Sequence, residues 1–179
     1  MKAFITIEYE PEIEYKIKER ELFLNLALAT ELASKKEPEY FTLEEIYKIL
    51  KDKGDIRISY CQECEIKSTG NIIISGKGEY ISNLNAMKDI IFTKSESVAR
   101  GGMLIAGGNI SAGIIGSSGY VATTLKVTKS GTISATLAYK NTIFCFDNLK
   151  MTLDETLEDI YVYFDKDTRR IEVTKSGLS

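Results

Sequence analysis

The feature that most constrains this chain is a short pattern that returns five times. "GDIRI" begins at residue 54, "GNIII" at 70, "KDIIF" at 88, "GNISA" at 108 and a looser "GTISA" at 131. Aligned on the residue before each isoleucine, the copies superimpose Ile56, Ile72, Ile90, Ile110 and Ile133, at spacings of 16, 18, 20 and 23 residues. Units this short hold one or two strands and their turns, whereas a βαβ unit needs about 30 residues. A fixed small repeat of this kind predicts stacked coils, each completing the backbone hydrogen bonds of its neighbour. The expected body is therefore a β-solenoid of five coils or fewer over residues 54–179, with the aligned isoleucines pointing inward.

Glycine fits the same picture. "MLIAGGNISAGIIGSSGY", residues 103–120, is rich enough in glycine to suggest a phosphate loop. A Walker A loop, however, ends in GK followed by Ser or Thr and opens a helix. No lysine stands at that place, Gly113, Gly116 and Gly119 are spaced by threes, and no amphipathic helix follows. Corners that need positive φ explain the glycines better, so the stretch reads as two turns and two short strands, and no nucleotide or other cofactor is expected.

Ahead of the repeats the pattern differs. Residues 3–9, "AFITIEY", and 13–17, "IEYKI", alternate like half-buried strands, and Pro11 lies in the turn between them. "LFLNLALATEL" from 22 to 32 alternates leucine in the strand period, although its Leu and Ala content favours helix; we read it as a strand. Thr42 and Glu45 form a capping box for a helix over 42–53, with Leu43, Ile46 and Leu50 on one face and Gly54 as its stop. Residues 1–53 thus read as a small α+β N-terminal domain. At the other end, "IYVYFDKDTRRIEV" reads as a hairpin turning at Asp165 to Thr168, able to cap the solenoid.

Composition excludes several chemistries. The chain of 179 residues has no histidine, which removes Ser-His-Asp and Cys-His nucleophile activation. Three cysteines make no disulfide framework. Cys61 and Cys64 form a CxxC, but a closed tetrahedral metal site needs two more ligands and only Cys145 is left. No metal site is expected. The carboxylates are scattered over turns and alternating positions, as on a solvated face. A net charge of −3 offers no general attraction to nucleic acid or anionic lipid. No apolar run approaches the roughly 18 residues that span a bilayer, and "MKAFITIEYE" lacks the apolar stretch of a secretory signal. The expected location is the cytoplasm, without membrane insertion.

Several segments together resemble the flagellar assembly protein A family of bacteria, a β-solenoid domain of unknown function. They are "MKAFITIEYEPEIEYKIKERE" and "YFTLEEIYKILKDKG" at the N-terminal end, then "GKGEYISNLNAMKDIIF", "ARGGMLIAGGNISAGIIGS", "GYVATTLKV" and "NTIFCFDNLKMTLDETLEDIYVYFD". Many members insert a long coiled-coil hairpin after the segment matching "TTLKV"; here Val127 runs almost directly into "TKSGTISATLAYKNT", so this chain resembles a compact version. The resemblance implies a right-handed solenoid and a non-enzymatic scaffold or adaptor in flagellar assembly or polar organisation. Its partners would be flagellar, polar or signalling proteins, or a second copy of the chain. The candidate contact residues on the outer faces are Tyr80, Arg100, Tyr120, Lys126 and Tyr139. The competing readings are a self-assembling cytoskeletal solenoid like the bactofilins, and a solenoid acyltransferase or lyase. The enzyme reading is weakened by the missing hexapeptide period and histidine.

Overall fold

Isoleucine, valine and threonine dominate the repeats, and their branched side chains favour the pleated backbone on which they pack. The computed structural model describes residues 54–175 and the backbone of Glu21–Phe23. The sequence expectations for residues 3–9, 13–17, 24–32 and 42–53 lie outside those residues, so the small α+β domain is not part of the description that follows.

The short strand β1 (Glu21–Phe23) is followed by five coils, each with one stretch in either of two sheets. The pairs are β2 (Ile56–Gln62) with β3 (Glu65–Ser68), and β4 (Ile72–Tyr80) with β5 (Asn83–Ala86). The third coil is β6 (Ile90–Phe92), β7 (Val98–Arg100) and β8 (Met103–Ala106). The last two are β9 (Ile110–Ile115) with β10 (Thr123–Val127), and β11 (Thr132–Ala138) with β12 (Thr142–Phe146). The first sheet runs β1-β3-β5-β8-β10-β12 and the second β2-β4-β6-β9-β11, with β7 also bridging β4 and β9. All these neighbours are parallel. This is a β-solenoid of five coils, the number and architecture that the repeat predicts.

Register follows the sequence alignment residue for residue. Ile56 pairs with Ile72, Ile72 with Ile90, Ile90 with Ile110 and Ile110 with Ile133. All five are fully buried. The opposite wall is the ladder Ile66, Leu84, Leu104, Leu125 and Phe144, equally enclosed. The two ladders belong to one buried core cluster, and every coil adds one rung to each.

The uneven repeat has a simple source. In the first coil Ile58 and Cys61 are successive inward residues around a bulge; the corresponding pairs are Ile74 with Glu79 in the second coil and Phe92 with Ala99 in the third. The growth from 16 to 18 and 20 residues falls wholly in these bulges. In the fourth coil it falls instead in the loop after Ile115 and the turn after Val127. Insertions at bulges and turns leave the interior rungs untouched.

The glycine stretch at 103–120 is indeed two strands and two turns, β8 and β9 with their corners. Positive φ is only part of the cause. Gly116 has φ of +81°, but Gly107 is there for clearance, because a Cβ would run into the Met87 carbonyl oxygen of the coil before it. Close stacking of backbones, more than turn conformation, sets the glycine content of these coils.

At the C-terminal end the direction of pairing changes. β13 (Leu149–Thr152) runs antiparallel to β12, β14 (Leu157–Asp165) antiparallel to β11, and β15 (Arg170–Lys175) antiparallel to β14. The predicted hairpin is therefore present. In its turn Asp165 Oδ1 accepts from the Asp167 N–H and Oδ2 from the Thr168 hydroxyl, each at 2.9 Å. The last strand carries Arg170, Glu172 and Lys175, charges of the kind that discourage further strand addition.

Candidate protein-contact corner

Each coil leaves the second sheet and enters the first through the same corner, built from a residue in the left-handed region followed by a small or hydroxylated one. Glu63, Ile81, Gly101 and Asn141 have φ of 50°, 50°, 77° and 71°. They precede Cys64, Ser82, Gly102 and Thr142. The corner stacks through backbone bonds, Glu63 N–H to Tyr80 O at 2.9 Å and Ile81 N–H to Arg100 O at 2.8 Å. Hydroxyls close it from inside: Ser82 Oγ accepts from the Cys64 N–H and donates to Tyr80 O, and Thr123 Oγ1 accepts from the Gly101 N–H at 2.8 Å.

The fourth coil breaks the pattern by inserting a loop over residues 116–122, in which Tyr120 has φ of 55°. Asn141 Nδ2 donates to the Tyr120 carbonyl at 3.4 Å, tying this loop to the next coil's corner. The loop brings Val121 against Gly101. A Cβ at Gly101 would lie 3.2 Å from Ile81 Cγ1 and 3.4 Å from Val121 Cγ1, so the two side chains flank a narrow notch over the glycine that is too tight even for a methyl group. Ile81 is 47% exposed, Tyr120 52% and Val121 36%.

Beside this notch runs an outward ladder. Gln62 pairs with Tyr80 and Tyr80 with Arg100; the same register places Gly116 and Tyr139 next in line. The Arg100 guanidinium carbon stands 5.1 Å from the Tyr80 ring centroid, within the range of a cation–π contact. Its Nε–H is buried with no hydrogen-bond partner.

Of the five candidate residues, Tyr80 and Arg100 are therefore in contact, Tyr139 lies further along their ladder, and Tyr120 belongs to the loop beside the notch. Tyr80, Arg100 and Tyr139 are half-buried. Lys126 stands apart on the outer face of the first sheet, paired in register with Ile105 and Cys145. It lines a shallow groove of about 310 Å³ with Met87, Ile105, Thr128 and Asp147. The sequence did not single out Ile81 or Val121. A β-branched residue between "GKGEY" and "SNLN" reads as one more strand position, and only its left-handed backbone exposes it.

The chemically versatile groups face the other way. Cys61 and Glu79 are register partners pointing into the core. Burial pushes the Cys61 thiol up to about 12, which suppresses the thiolate that a nucleophile or ligand needs. Cys64 at the corner donates to the Gln62 carbonyl. Among the described residues no three His, Cys, Asp or Glu side chains gather as ion ligands, and no helix is long and apolar enough to cross a membrane. Glu79 corrects the expectation of exposed carboxylates: it is 2% exposed, with Oε2 accepting from the Ser82 N–H at 3.0 Å and Oε1 unpartnered.

Comparison of the chain with family models, curated proteins and solved structures yields no match.

Proposed function

We propose that the chain is a non-enzymatic scaffold or adaptor of the flagellar assembly protein A type, working in the cytoplasm through protein contacts along the outer faces of a right-handed solenoid. The observation that carries this reading is where the chemistry sits. Among the described residues, the thiol and carboxyl that burial perturbs most, Cys61 and Glu79, are sealed inside the coils, while the exposed large apolar side chains stand on outward ladders and corners. A rigid stack whose outer surface combines aromatic, apolar and charged positions suits recognition of other proteins.

Open-ended polymerisation is the weaker reading. The solenoid's last coil is covered by antiparallel β13 and β14, which removes one of the two parallel edges that a filament of stacked copies needs.

The test is in-cell cross-linking of the tagged full chain followed by mass spectrometry. Recovery of a defined set of flagellar, polar or signalling proteins supports the scaffold; recovery of the chain alone contradicts it.

A further inference from the structure

The corner at Gly101 has properties that the solenoid itself does not require. Four coils pass through this position in the left-handed region, and three of them use Glu63, Gly101 and Asn141 there. Asparagine and glycine tolerate that conformation, whereas for a β-branched side chain it is an outlier. Ile81 nevertheless occupies it and gains little burial in return, at 47% exposure. The fourth coil then adds a loop that no interior rung needs and sets Val121 on the other side of the same glycine, with Tyr120 beside it. Strain retained together with exposed apolar surface points to contact with something outside the chain.

The adjoining charge indicates what that is. Arg100 lies over Tyr80 with its Nε–H buried and unpartnered, and no carboxylate pairs with its guanidinium among the described residues. The acidic residue of this corner, Glu63, lies on the far side of Ile81 and accepts from Gln62 Nε2 at 3.5 Å. Ile81, Tyr120 and Val121 thus form an exposed apolar patch with Arg100 as the adjacent cation.

Resting on the scaffold reading, we infer that this corner docks a protein segment in which a carboxylate is flanked by aliphatic side chains. The aliphatic group packs on the exposed faces of Ile81, Tyr120 and Val121, and the carboxylate takes the Arg100 guanidinium in a charge-assisted contact while Tyr80 holds the cation in place. Arg100 supplies orientation and salt sensitivity; Ile81 and Val121 supply the apolar contact.

Short fluorescein-labelled peptides test this by anisotropy against the full chain: one alternating Asp and Leu, one alternating Lys and Leu, and one alternating Asp and Ser. The Asp-Leu peptide is expected to bind, to weaken as salt rises, and to lose about tenfold or more in affinity with Ile81→Asn, Val121→Ser or Arg100→Gln. Melting curves accompany each variant, and Ile81→Asn is expected to melt no lower than the parent, so that lost binding cannot be lost folding. Equal binding of the Lys-Leu peptide, no binding of the Asp-Leu peptide, or unchanged affinity in all three variants overturns the inference. The same variants separate it from the scaffold reading in cell cross-linking. If Ile81→Asn retains every partner of the parent, the corner is wrong and the scaffold stands; if the parent recovers only itself, the scaffold fails.

Discussion

Asn71 is joined to Asp55 one coil earlier by two hydrogen bonds, its backbone N–H and its Nδ2 both donating to Asp55 Oδ1 at 2.7 and 2.9 Å. The ladder continues, with Asn71 Oδ1 accepting from the Asp89 N–H, Asp89 Oδ1 from the Asn109 N–H, and Asn109 Oδ1 from both the N–H and hydroxyl of Thr132. Every member immediately precedes an aligned isoleucine, so each repeat carries one interior rung and one corner bond. Asn71→Ala removes the side-chain donor and acceptor at once and leaves the Asp89 N–H without its partner. Urea unfolding is expected to show a loss of about 1–3 kcal/mol; an unchanged midpoint would falsify the structural role of the ladder.

The interior isoleucines should be far less tolerant. Ile90 is fully buried between Ile72 and Ile110. Ile90→Ala is expected to cost about 2–5 kcal/mol, and Ile90→Asp, which buries a carboxyl with no partner, to abolish the cooperative melt. Circular dichroism on heating reads both. A parent-like transition in Ile90→Asp would mean that the rungs are misaligned.

Glu79 gives the protein a pH dependence of definite sign. Burial raises its carboxyl from 4.5 to about 8, while backbone N–H groups of Ser82 and Arg100 pull the other way. The folded state therefore holds a proton that the unfolded state releases above its ordinary value. Stability from this group is fully present below about pH 4.5 and is lost as pH rises through about 8, by up to about 5 kcal/mol across that window. Denaturant midpoints measured from pH 5 to 8 should fall for the parent and stay flatter for Glu79→Gln. Parallel curves would show that Glu79 is solvated.

Ile81 predicts a gain of stability. Replacing it with asparagine keeps the left-handed corner, relieves a conformation that costs a β-branched residue about 1–2 kcal/mol, and removes an exposed apolar side chain. Ile81→Asn is expected to raise the melting midpoint. A fall would mean that the isoleucine packs usefully within the monomer.

The repeat was legible because its physics is local. Five isoleucines at irregular spacing could be aligned from their small, polar predecessors, and the alignment is the register itself. The C-terminal hairpin was equally open to reading, since Asp165 and Thr168 are turn formers between alternating apolar runs. What the sequence concealed lies at the bulges and corners. Glu79 is inward because the bulge makes the step from Ile74 an odd one, five residues, which reverses the strand parity, and alternation alone gives no sign of such a shift. Ile81 is outward and left-handed because the corner, not the residue, dictates φ. Tyr80 and Arg100 were recognisable as contact residues by type, but their meeting follows from coils stacking 20 residues apart. Lys126 was placed among them by chemistry alone, and the fold puts it on another face.

The central claim is that successive repeats lie side by side in register, and an outward pair tests it most directly. Lys126 and Cys145 are register neighbours on parallel strands of the first sheet, adjacent positions of the kind that a disulfide can span. Oxidising Lys126→Cys and mapping the cross-linked peptides by mass spectrometry should yield the 126–145 bond within one chain. Cross-links that join position 126 only to Cys64, or only to a second chain, would contradict the stacked solenoid.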